Sequence, residues 1–75
     1  MAETVAQTFR VEGMHCGSCG MLIDDTVEEL DGVTRSQTTL RTGRAIVEVD
    51  PQRCSPDDVV AAIEEAGYRA RWEGP

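Results

Sequence analysis

Residues 4 to 12 alternate. Val5, Phe9 and Val11 share one parity and Arg10 and Glu12 the other, the period of a half-buried strand that Gly13 ends. From 18 to 30 the period lengthens. Cys19, Leu22, Ile23, Thr26, Val27 and Leu30 fall on one stripe at spacings of three and four, and Asp24, Asp25, Glu28 and Glu29 cover the other side. Asp31-Gly32 stops this helix. Val33 to Leu40 predicts a second, weaker strand, with Thr38 and Leu40 in phase; its inward positions hold more Ser and Thr than a central strand favours, which places it at an edge. Arg41-Thr42-Gly43-Arg44 predicts a hairpin turn. Ala45, Val47 and Val49 then alternate with Ile46, Glu48 and Asp50 in a third strand that Pro51 ends.

Ser55-Pro56-Asp57-Asp58 is a helix start: Ser55 can cap, Pro56 suits the first helical position, and two Asp favour the positive end of the dipole. Val59, Val60, Ala62, Ile63 and Ala66 form the apolar face and Gly67 closes the helix. Tyr68, Ala70 and Trp72 alternate in a last strand. Strand, helix, strand, strand, helix, strand is the α+β, ferredoxin-like βαββαβ order, a four-stranded antiparallel sheet with both helices on one face. Direction reverses at each element. The loop after the first strand, the 41–44 hairpin and the Gly67-Tyr68 turn are therefore expected at one end, and the Asp31-Gly32 turn and the loop holding Cys54 at the other.

Seventy-five residues make one domain, 1–75, with a thin core, since a chain this short buries only about 60% of its unfolded surface. Fourteen Asp and Glu against seven Arg give a net charge of -7, which disfavours nucleic acid and anionic lipid as partners. No stretch is long enough or apolar enough to span a membrane. The N-terminus has no charged-then-apolar signal segment, so the chain reads as cytoplasmic. A reducing compartment keeps cysteines as thiols, and there a CxxC pair binds metal or does redox chemistry more often than it braces a fold.

The pair here is Cys16 and Cys19, in Gly13-Met14-His15-Cys16-Gly17-Ser18-Cys19-Gly20, between a strand pattern and a helix pattern. Cys19 falls in the first helical turn, where unpaired N–H groups and the dipole favour thiolate and lower its pKa from the free value of about 8.5. Cys16 lies one loop turn earlier, and Gly17 and Ser18 leave the approach open. Two thiolates with no obvious third or fourth ligand suit a soft ion that accepts low coordination, and Cu(I) fits best. Structural zinc wants four ligands, and no second CxxC or HxxxH exists here. A thiol–disulfide redox pair is the distant alternative; redox enzymes of the thioredoxin type usually carry an aromatic residue before the motif and Pro within it, and neither is present.

Gly13-Met14-His15-Cys16-Gly17-Ser18-Cys19 resembles the GMxCxxC signature of heavy-metal-associated domains, a family that includes copper chaperones and the N-terminal domains of copper-transporting P-type ATPases. The likeness extends through Gly32-Val33, the Leu40 to Val49 hairpin and Ala66-Gly67-Tyr68. It implies Cu(I) held by Cys16 and Cys19, with Met14 packed under the loop. It implies Tyr68 near the metal, as in bacterial copper members. Zinc-exporting relatives often have Asp before the first motif Cys, where this chain has His15, which favours copper.

Beside the resemblance, each residue has a plainer reading. Met14 fills core space. His15 is an exposed, non-ligating neighbour, with a third ligand or a ligand to a second copper in a dimer as the minority reading. Tyr68 caps the core, shields the metal, or both. Cys54 is a small apolar plug away from the site. Arg41 and Arg44 decorate a solvated hairpin or meet an acidic partner, and Phe9 and Trp72 are core residues. The resulting expectation is a cytoplasmic metallochaperone that passes Cu(I) to a copper-transporting P-type ATPase by thiolate exchange. It is not an enzyme and does not insert in a membrane; it is monomeric or a copper-bridged homodimer. The alternatives are an excised ATPase metal-binding domain, which Met1 and the lack of a linker after Trp72 disfavour, and a carrier of Zn(II), Hg(II), Cd(II) or Ag(I).

Overall fold

The computed structural model describes residues 4–14 and 17–74, in the order β1 (Val5–Glu12), α1 (Gly17–Glu28), β2 (Val33–Thr39), β3 (Arg44–Val49), α2 (Pro56–Glu65) and β4 (Arg69–Gly74). The strands form one antiparallel sheet ordered β2-β3-β1-β4, the ferredoxin-like arrangement, with β2 at an edge. Phe9 and Val11 of β1, Ala45, Val47 and Val49 of β3, Ile23 and Val27 of α1, and Val59 and Ile63 of α2 make the core between sheet and helices. Gln7, of the same parity as Phe9, is also buried, and its Oε1 has no hydrogen-bond partner.

Helix α2 follows from local chemistry at both ends. Ser55 Oγ accepts from Asp58 N at 3.3 Å while Asp58 Oδ2 accepts from Ser55 N at 3.0 Å, a reciprocal capping box with Pro56 opening the helix. At the other end Gly67 has φ +103°, its N–H donates to Glu64 O at 3.0 Å, and Tyr68 N donates to Ile63 O at 3.4 Å. This is a Schellman close, and it turns the chain so that Tyr68 packs against the core.

Helix α1 departs from its predicted polar face. Asp24 turns to the edge strand: it accepts from Ser36 Oγ at 2.8 Å, Thr38 Oγ1 at 2.7 Å and Thr38 N at 3.2 Å, and Glu28 accepts from Ser36 N at 3.0 Å. The Ser and Thr that make β2 look weak are the donors, and two acidic side chains close the outward N–H groups of an edge that would otherwise pair with another chain. The rotation leaves Leu22, predicted for the apolar stripe, half-exposed. Trp72, expected in the core, is also half-exposed, because it lies on edge strand β4.

Replacing Asp24 with Ala removes acceptors from three donors and is expected to cost about 1–3 kcal/mol. A urea titration with an unchanged slope and a lower midpoint checks this.

Candidate metal centre

The alternating directions bring three loops together at one end. Val11 N, near the end of β1, donates to Gly43 O of the β2–β3 hairpin at 2.8 Å. Gly13 has φ +96°, and a Cβ there would meet Tyr68 Cδ1 at 3.7 Å, so the β1–α1 loop passes against the turn after α2. Met14 is half-buried and packs on the core, the place expected for a gap-filling thioether.

Cys19 lies in the first turn of α1 and is half-buried. The positive end of the helix dipole favours negative charge there. Gly20, next along, is buried: a Cβ on it would lie 3.4 Å from Thr38 O, so the helix start sits directly on β2. Asp24 fastens the same helix to the same strand one turn further on. His15 and Cys16 lie outside the described residues. Met21 and Leu22 on α1 and Leu40 in the hairpin are exposed apolar side chains, and helical periodicity marks Leu22 alone among them, as core.

Cys54 occupies the opposite end. A Cβ at Gly32 would stand 3.2 Å from Cys54 Cβ, and Asp50 N donates to Gly32 O at 2.8 Å, joining the α1–β2 turn to the β3–α2 loop. The thiol is 2% exposed and donates to Ser55 O at 3.7 Å. Burial pushes its pKa up, and the carboxylates of Asp58 and Asp31 add to the rise, so it stays a thiol at neutral pH. Among the described residues, no three His, Cys, Asp or Glu side chains gather as a metal-holding group, and no helix is long and apolar enough to cross a membrane.

Residues 8–69 match the model of the heavy-metal-associated domain. The chain belongs to that family. Copper chaperone CopZ of Bacillus subtilis (strain 168) is 39% identical to this heavy-metal-associated domain over 62 residues, 83% of this chain and 90% of the relative. Cation-transporting ATPase HMA5 of Oryza sativa subsp. japonica is 35% identical over 70 residues, and the 93% of this chain that matches spans 7% of that relative. The solution structure of the N-terminal domain of a potential copper-translocating P-type ATPase from Bacillus subtilis, in the Cu(I)-loaded state, superposes with a TM-score of 0.90 at 26% identity, covering 96% of this chain and 90% of that one. Relatives of this domain thus occur as small proteins of similar length and as segments of large transporters.

Proposed function

We propose that this domain binds Cu(I) through the sulfurs of Cys16 and Cys19 and passes it to a copper-transporting P-type ATPase in the cytoplasm. The observation that carries the reading is Cys19 in the first turn of α1, within a Gly-bracketed CxxC that follows the Gly13 contact with the Tyr68 turn. A helix start stabilises thiolate, and thiolate is the form that binds soft metal. Likeness to CopZ along 90% of that chaperone supports copper as cargo and transfer as the task.

Transfer is ligand exchange without redox change. A thiolate of the acceptor bonds to copper, giving a three-coordinate intermediate; one donor Cu–S bond then breaks, and the second exchange completes the hand-over. Two sulfurs from this chain leave the ion open to that attack. Met14 supports the loop from the core, Tyr68 screens one side, and His15 is not a ligand. Exposed Met21, Leu22 and Leu40 supply apolar contact for a partner approaching this end. The function is binding and transfer rather than catalysis.

A second reading, a metal-binding domain of a transporter, is favoured by the match to 7% of the rice ATPase. The copper chemistry is the same in both, and a pump-attached sequence around this domain in its genome would select it.

Anaerobic titration with Cu(I) against a competing chelator tests the proposal. One Cu(I) per chain is expected, with X-ray absorption reporting sulfur ligands only. Disulfide turnover with a reductase and no retention of Cu(I) would replace it with the redox alternative. Cys54→Ser is expected to keep the one-to-one complex while losing about 1–3 kcal/mol of stability, the cost of burying a hydroxyl in the plug's place. A fall in copper stoichiometry would place Cys54 in the site.

A further inference from the structure

The helices cover one face of the sheet, and the other is open. On the open face Arg10 of β1 pairs in register with Arg44 of β3 on one side and Arg71 of β4 on the other, and Arg69 stands opposite Glu12. Three guanidinium groups thus lie directly across three adjacent strands. Like charges in directly opposed positions destabilise a sheet. Among the described residues only Arg44 has an ion-pair partner here, Glu73 at 2.8 Å; Arg10, Arg69 and Arg71 form none. The hydrogen bond from Arg44, and then the charges of Arg44, Arg10 and Arg71, lower the pKa of the Glu73 carboxyl.

Composition does not produce this cluster. The chain carries -7, yet four of its seven Arg stand in this one patch. Arg10, Arg69 and Arg71 line a shallow recess of about 450 Å³ that runs past Glu12 and over the β4 edge to Ala70 and to Glu64 of α2.

We propose that the open sheet face, centred on Arg10, Arg44, Arg69 and Arg71, docks a short acidic segment of a partner protein. Guanidinium groups receive carboxylates bidentately, so two or three Glu or Asp side chains complete the ladder's missing counter-charge. The patch is small and bounded on the sheet by Glu12 and Glu48 and across the β4 edge by Glu64 of α2, which repel a polyanion that continues past it. Phe9 is in the core, Tyr68 packs against it and Trp72 shares the register of Phe9, so no aromatic ring stands on this face to stack a base. These features favour an acidic peptide over nucleic acid or an anionic bilayer. Arg44 adjoins the Gly43 hairpin and Arg69 the Tyr68 turn, so the patch borders the end of the domain where those turns gather.

The test is an amide NMR titration of the full metal-free chain with a hexaglutamate peptide, at low ionic strength and again at about 0.15 M, where the Debye length is about 8 Å. Expected shifts cluster at Arg10, Arg44, Arg69 and Arg71 and weaken with salt. Arg10→Gln with Arg71→Gln is expected to weaken binding at least about tenfold without lowering the melting temperature, since it relieves repulsion. Arg10→Glu with Arg71→Glu is expected to exchange hexaglutamate for hexalysine. Shifts that map to the helices, binding indifferent to either double variant, or tighter binding of a single-stranded oligonucleotide or of phosphatidylserine vesicles through the same residues would overturn the proposal.

Discussion

With Cys16→Ser and Cys19→Ser combined, the domain is expected to fold as before and to lose Cu(I) in competition with a chelator that the parent protein outcompetes. The fold does not depend on these thiols for its core. Cys19 is half-buried at the start of α1, and the hydrophobic interior is built from Phe9, Val11, Ile23, Val27, Val47, Val49, Val59 and Ile63. A hydroxyl is a hard, protonated donor and a poor substitute for thiolate toward a soft ion.

The size of the loss follows from metal-site energetics. A four-ligand structural zinc site contributes about 10–16 kcal/mol, roughly 2.5–4 kcal/mol per ligand, so even one lost thiolate weakens binding by about two to three powers of ten. The single variants are expected to fall by at least that much, and the double variant to show no retained copper. Thermal unfolding gives an independent readout. Free Cu(I) at about 1,000 times Kd stabilises the parent by about 4 kcal/mol. A domain of this size then melts roughly 15–30 °C higher. The double variant should show no such rise. Copper held equally well by it would place the site away from the Gly13–Gly20 loop.

What the sequence makes legible is mostly local. The Ser55-Pro56-Asp57-Asp58 start and Gly67 close of α2 can be read because their hydrogen bonds span three to five residues. Ala45, Val47 and Val49 alternate cleanly because β3 is central and buried on one face only. The gathering of the Gly13 loop, the Gly43 hairpin and the Tyr68 turn is legible from chain direction alone, and so is the removal of Cys54 to the far end. Asp24 is not legible. A carboxylate at that helical phase looks solvated until the neighbouring strand is known to offer Ser36 and Thr38 as donors. Trp72 has core parity but sits on an edge strand, where one side of the ring meets no neighbouring strand. The arginine ladder shows the same limit: parity puts Arg10, Arg44 and Arg71 on one face, but only strand register makes them neighbours. At the metal centre, the position of Cys19 at the helix start is readable from the Gly-bracketed loop, while His15 and Cys16 lie outside the described residues.

Gly32→Ala is expected to be the most destabilising single substitution outside the core, and to leave copper stoichiometry untouched. Gly32 has φ +94°, a conformation that costs a residue with a Cβ about 1–3 kcal/mol. The added methyl would also meet Arg53 Cβ at 2.9 Å, Cys54 Cβ at 3.2 Å and Arg53 C at 3.3 Å. None of these atoms is the free end of a side chain. The loop that carries them is held by Arg53 N and Cys54 N donating to Asp50 O at 3.0 Å each, by Gln52 N on Asp50 Oδ1 at 3.0 Å, and by the burial of Cys54. Forced overpacking adds about 1–3 kcal/mol, so the total is about 2–6 kcal/mol. At roughly 4–8 °C per kcal/mol, the melting temperature drops by at least about 8 °C. Gly67→Ala separates the two contributions. Gly67 has φ +103°, but a methyl added there would meet nothing within 4 Å, so that substitution carries backbone strain alone. Gly32→Ala should therefore be the worse of the pair by the overpacking contribution. Equal losses would mean that the 50–54 loop yields to the methyl, and that the end of the domain opposite the metal loop is softer than its hydrogen bonds imply.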